Sequence, residues 1–245
     1  MRYAAMLRAI NLPRHNKVTM ADLRSLLTGL GYCDVVTHLQ SGNAVFTSGQ
    51  PAADAEHEIA VALFAQLKVS CAVMVRTGTE LAAAVTEHPL GGEPENPSRY
   101  FVAFLSATPD ATKVAALSAV SFDPDRLWVR GREAYLWIPA GAAETKLTNS
   151  ALEKRLGVAA TSRNWNTVNK LRSLTMVGRP DQTLTASHAC RSFLRERGRP
   201  GLLVIDPAQP LDLCPALLLS QPFLGRSSGR PGGPARWWWR RRSLG

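Results

Sequence analysis

Tyr3–Ile10 is almost wholly apolar on both alternating faces, which predicts a central strand buried on two sides. The spacing then changes. Met20, Leu23, Leu26, Leu27 and Leu30 recur at helical intervals, with Thr19 as N-cap, Asp22 at N3 and Gly31 as the stop. Val35–Gln40 and Ala44–Thr47 read as strands joined by a short Ser-Gly-Asn hairpin signal. Ala52–Lys68 carries Ile59, Leu63 and Leu67 on one helical stripe, Cys71–Val75 reads as a fourth strand, and Thr79 is expected to cap a third helix ending before Pro89. That order is βαββαβ with an appended helix, the split βαβ pattern of a ferredoxin-like unit.

After the Pro/Gly-dense stretch 89–98 the order repeats. Strand Tyr100–Leu105 precedes a helix from Pro109 to Val120, then strands Leu127–Arg130 and Ala134–Ile138 around a Gly131-Arg132 turn. Helix Ser150–Leu156 stops at Gly157, a short strand follows near Val158–Ser162, and a last helix presents Val168, Leu171 and Leu174. No residue-level repeat accompanies the repeated order. The expected fold is therefore α+β, with two ferredoxin-like subdomains in tandem at 1–88 and 99–176 joined by a linker at 89–98. Residues 177–245 form a low-complexity C-terminal tail, an Arg/Pro-rich extension expected to be disordered or read-through in a shifted frame.

The charge supports that division. Residues 180–245 hold ten arginines and no lysine against four acids, so +6 of the formal +10 lies in the tail, which also has eight of the sixteen prolines. The remaining 179 residues are only mildly basic, so net charge is a weak argument for nucleic acid. The four cysteines are widely spaced with no C-x-x-C pair, which implies reduced thiols, neither disulfide framework nor zinc site, and a cytoplasmic protein. Arg8 interrupts the N-terminal apolar stretch, against a signal peptide, and no run approaches the roughly 20 apolar residues of a membrane span.

Candidate chemistry concentrates at one expected edge. With strand order 4-1-3-2, the end of strand 1, the start of helix 1 and the strand 2–3 hairpin meet. This gathers Arg8, Asn11, Asn16, Lys17, Gln40, Ser41, Gly42 and Asn43. Arg8 falls on the strand face of Met6 and Ile10, where a guanidinium must be paired or face a cavity. A helix N-terminus and two cations favour a phosphate or carboxylate. A second polar run, Thr161–Lys170, offers Arg163, Asn166 and Lys170 for a ligand, with Trp165 either stacking on it or packing in a subdomain interface. Asn164 or Asn166 suits the cap of the last helix. Lys146–Asn149 is a weaker candidate before a helix. His15 and His38 are the only histidines near the first edge, and no Walker, G-x-G-x-x-G, H-E-x-x-H or G-x-S-x-G motif occurs. No cofactor or metal is expected.

The stretch LRAINLPRHNKVTMADLRSLLTGLGYCDVVTHLQSGNAVF resembles the N-terminal signature of the bacterial family called domain of unknown function 1697. YLWIPAGAAETKLTNSALEKRLGVAATSRNWNTVNKLRSL resembles its C-terminal signature. The resemblance covers about residues 1–176 and implies a small cytosolic α+β protein with no activity to carry over. Its matching positions include Arg8, Asn11, Asn16, Lys17, Gln40, Ser41, Asn43, Lys146, Arg163, Asn166 and Lys170. Where that family has a glycine pair, this chain has Pro13-Arg14-His15, which argues against a close-fitting phosphate loop.

The leading expectation is a protein binding a small anionic ligand at the strand 1, helix 1 and hairpin edge. A hydrolase or group-transfer enzyme at that edge is the alternative, with a nucleic-acid-binding or oligomeric interaction module as a third reading. Strand 1 offers only Tyr3 and strand 3 only Phe46 as aromatics, fewer than an RNA-binding sheet usually displays.

Overall fold

The computed structural model describes residues 1–12 and 16–176 and contains two four-stranded antiparallel sheets. The N-terminal half runs β1 (Arg2–Leu7), α1 (Met20–Gly29), β2 (Cys33–His38), β3 (Asn43–Thr47), α2 (Ala52–Leu67), β4 (Val73–Thr77) and α3 (Gly78–Thr86). The C-terminal half repeats this with β5 (Tyr100–Leu105), α4 (Ala111–Ser118), β6 (Arg126–Arg130), β7 (Glu133–Trp137), α5 (Asn149–Leu156), β8 (Ala160–Asn164) and α6 (Trp165–Met176). Sheet orders β2-β3-β1-β4 and β6-β7-β5-β8 correspond element for element. The expected tail at 177–245 lies outside the described residues, as do Pro13, Arg14 and His15.

Both faces of each central strand are covered, which is why β1 from Tyr3 onward and all of β5 are apolar. Tyr3, Ala5 and Leu7 pack beneath α1 and α2, against Leu23, Leu27, Ile59 and Leu63. The opposite face of that sheet, Ala4, Met6, Val45 and Met74, packs in one core with Tyr100, Val102, Phe104 and Tyr135 of the second sheet. Leu81 and Val85 of α3, with Trp165, Val168 and Leu171 of α6, complete this inner core. Ala103, Leu105, Ala134 and Leu136 then pack under α4 and α5.

Local chemistry moved several boundaries. β1 ends at Leu7 rather than Ile10, because Ala9 takes φ 52° and turns the chain. Arg8 therefore leaves the face of Met6, and Ile10 packs in the outer core with Leu7. The α3 cap is Thr77, not Thr79: only Thr77 has a glutamate three residues on, and Thr77 and Glu80 form a reciprocal capping box. Thr19, Asp110 and Thr148 cap α1, α4 and α5, while Gly157 ends α5 at φ 74°. β4 lies two residues beyond its expected position, so Arg76, which looks like a strand end, is a core residue at 1% exposure.

The described residues contain one aromatic cluster at the inner core with an acid-sensitive member. His88 stands 4.7 Å from the Trp165 ring and 5.7 Å from Tyr100, and both His88 Nδ1 and Tyr100 Oη are buried without a partner. Burial holds the His88 pKa below the ordinary histidine value of about 6.5, more than Glu93 raises it. The unfolded chain thus takes up this proton more readily than the folded one. The associated stability is complete above about pH 6.5 and falls as pH drops below it. Urea unfolding between pH 7.5 and 5.5 should show this slope, and His88→Phe should flatten it; an equal slope in the variant counts against His88 as its source.

Candidate functional site

Two arginines tie the halves together, each from the fourth position of a five-residue edge strand. Arg76 on β4 donates Nε–H to Glu133 at 2.9 Å and its Nη2 to the Leu105 and Arg132 carbonyls, at 2.8 and 3.2 Å. Its Nη1 donates to the Val75 carbonyl. Arg163 on β8 repeats this in the other direction. It donates Nε–H to Asn43 Oδ1 at 2.5 Å and Nη2 to the Leu7 and Ser41 carbonyls at 2.8 and 2.9 Å. Its Nη1 donates to Thr161 Oγ1 and the Ser162 carbonyl. The equivalence is detailed: Leu7 and Leu105 end β1 and β5, and Asn43 and Glu133 open β3 and β7.

The clamps differ in charge. Arg76 has Glu133 at 2.9 Å and Glu56 at 3.8 Å. Arg163 is buried, and its five bonds all end on neutral oxygens. No carboxylate among the described residues stands within ion-pair distance of it, and burial pulls its pKa down to about 10. A buried cation in this setting is costly, and its field reaches the adjoining surface with little screening.

That surface is the edge expected to bind ligand, and the structure distributes its residues unevenly. Asn11 and Gln40 come together: Asn11, at φ 54°, donates Nδ2–H to the Gln40 carbonyl and to that of Val18, while Val18 N–H donates to its Oδ1. Asn43 is fully buried and donates to the His38 carbonyl and Ser41 Oγ, so the hairpin, Ser41 and Arg163 form one network. Gly42 is required there. At φ 77° its carbonyl accepts from Leu7 N–H, and a Cβ would stand 2.5 Å from Ile10 Cδ1. Asn16 also has positive φ and reaches the Ala9 carbonyl, at 3.4 Å. Lys17, Gln40, Ser41, Asn166 and Lys170 are exposed. Lys170 lies near enough to His38 to depress its pKa, second to the effect of burial.

Arg8 departs from the group. Its guanidinium forms a two-pronged pair with Glu153 of α5, which raises its pKa, and Glu153 also accepts from Ala160 N–H. The pair borders a shallow groove of about 500 Å³ that includes Cys71, Val158 and Ala159. Burial pushes the Cys71 thiol up to about 11, which makes it a poor nucleophile at neutral pH. Trp165 is an interface residue, 1% exposed, donating to Glu93. Asn164 caps α6 through Thr167 N–H. At the weaker candidate, Thr148 is the α5 cap and Asn149 accepts from Ser162.

Sequence reasoning missed Arg76, Glu56, Glu133 and Glu153. One signal was present: VMVRT and ATSRN each carry arginine fourth in the last strand of their half. No group of three His, Cys, Asp or Glu side chains among the described residues is placed to hold a metal ion, and no helix among them is long and apolar enough to cross a membrane.

The comparisons with known proteins agree with this architecture. In solved structures, the chain is similar to a conserved bacterial protein from Streptococcus pneumoniae. The two are 23% identical with a TM-score of 0.57, over 71% of this chain and 98% of the other, which is a likeness of fold. No curated protein matches the sequence. The family described as "Protein of unknown function (DUF1697)" matches residues 1–135, more than half of the chain, ending within β7. The chain belongs to the DUF1697 family.

Proposed function

We propose that this protein binds a small anionic ligand, bearing phosphate or carboxylate, at the edge formed by Lys17, the Gln40–Asn43 hairpin, His38 and the first turns of α6. The observation that carries this reading is the charge difference between the two clamps. At equivalent positions Arg76 has two glutamates, whereas Arg163 has an asparagine and carbonyl oxygens. Lys17 and Lys170 are both exposed, and Lys170 lies near enough to His38 to lower its pKa, so they add to the surplus positive charge of Arg163 in this reading. Arg163 acts through its field and by fixing the hairpin, since its donors are already used. Lys17, Lys170, Asn166 and Ser41 are the groups with room to touch a ligand. Arg8, Asn11 and Asn16 support the loop and the interface around them.

The test is ligand-dependent thermal stabilisation of the full chain across inorganic phosphate, nucleotides and small carboxylates. At least one class should raise Tm. Replacing Lys17 and Lys170 together by alanine should weaken that ligand at least tenfold, as follows from about 1.5–3 kcal/mol for a charge-assisted hydrogen bond. A flat panel, or a response unchanged in the variant, would sink the reading. A response only to RNA, falling steeply with salt, would replace it with a nucleic-acid interface.

A further inference from the structure

We propose that the inner faces of the two halves form an exchangeable interaction surface whose partner is a second copy of this chain. The N-terminal half of one copy then seats on the C-terminal half of another, and the reverse.

Reciprocity is the first support. Each half presents the same device, an edge-strand arginine that projects out of its own sheet and a receptor for the other half's arginine. The receptor comprises the end of the central strand and the start of the hairpin's second strand: Leu7 and Asn43 in one half, Leu105 and Glu133 in the other. Further cross-half ties run both ways, from Arg8 to Glu153 and from Arg132 to Glu56. The apolar faces between them, with Met6, Met74, Val102 and Phe104 all at 0% exposure, need a complementary half to leave water. Nothing in these contacts depends on the two halves belonging to one chain.

The connection is the second support. Residues 88–99 join α3 to β5 and contain Pro89, Gly91, Gly92, Pro94 and Pro97. Twelve extended residues can span about 40 Å, and prolines favour an extended hinge. Among the described residues this segment is tied to the C-terminal half: His88 packs on Trp165 and Tyr100, Glu93 accepts from Trp165 at 3.1 Å, Pro94 is buried, and Arg99 donates to the Ala140 carbonyl at 2.7 Å. Because these ties run to the C-terminal half, the segment can swing away from α3 with that half, and closing onto a second copy restores the contacts between halves, the usual economy of an exchanged dimer. The anion-binding edge would then be shared, since Lys17 and the hairpin belong to one half and Arg163 and Lys170 to the other. The exchange itself does not depend on what that edge binds.

Gly78 and Thr175 supply the readout, one in α3 and one in α6. A Cβ at Gly78 would stand 3.3 Å from that of Thr175, close to the usual disulfide separation of about 3.5–4.5 Å. In full-length chains whose four native cysteines are replaced by serine, Gly78→Cys with Thr175→Cys should close a disulfide within one chain. That confirms that both substitutions are accommodated. Two single-cysteine chains, one Gly78→Cys and one Thr175→Cys, are then mixed at high concentration, carried through the urea midpoint, returned to buffer and oxidised. A 1:1 disulfide-linked dimer of the two chains, increasing with protein concentration and exceeding same-chain pairs several-fold, is the expected result. Absence of that dimer, or its formation no more often than same-chain pairs, overturns the proposal.

Discussion

Arg163→Ala should lower the unfolding free energy by about 3–5 kcal/mol, the range for breaking a buried charged network from one side. The size follows from what remains. Asn43 Oδ1, Thr161 Oγ1 and the carbonyls of Leu7, Ser41 and Ser162 lose a donor in a region where Asn43 and Thr161 are closed to water. Losing the buried charge itself is favourable, which keeps the cost below the sum of five charged hydrogen bonds. Arg163→Lys should recover only part of the loss, because one ammonium with three donors cannot serve five acceptors around a planar fork. Urea denaturation of the three proteins measures this directly. Lys170→Ala is the contrast, since an exposed side chain away from such a network changes stability within about 0.5 kcal/mol. If Arg163→Ala were as mild as Lys170→Ala, the clamp would not hold the halves together.

That contrast shows what could be read from the residues alone. The duplicated element order and the sheet order were legible because β1 and β5 are almost wholly apolar on both faces and Thr19, Gly31 and Gly157 mark helix ends in plain sequence positions. The meeting of Asn11 with Gln40 follows from that topology, 29 positions apart. The destination of a long charged side chain does not follow. Arg8 and Arg163 both looked like ligand-facing cations, yet one finds Glu153, 145 positions away, and the other finds Asn43, 120 positions away. Arg76 gives no such signal, because it lies just past the apolar run Cys71–Val75, yet it enters the space between two sheets. Which cation is paired depends on a surface that exists only after the halves dock. Local pattern cannot carry that.

Glu133→Ala should cost about 3–5 kcal/mol as well, because it leaves Arg76, at 1% exposure, with Glu56 at 3.8 Å as its nearest carboxylate. Here a second substitution separates charge from packing. Arg76→Met removes the cation, and in the Arg76→Met, Glu133→Ala chain neither charge remains to be stranded. The double variant should therefore be less destabilised than the two single losses added together, by about 1–3 kcal/mol of coupling in a double-mutant cycle. It should not return to the original stability, because the Leu105, Arg132 and Val75 carbonyls still lose their donor. Strict additivity would mean that the ion pair contributes nothing beyond its separate bonds. The opposite end of the interface has no matching cycle, since among the described residues Arg163 has no carboxylate partner to remove with it. One clamp can exchange its charges for apolar groups within the protein, while the other holds its cation on five neutral oxygens.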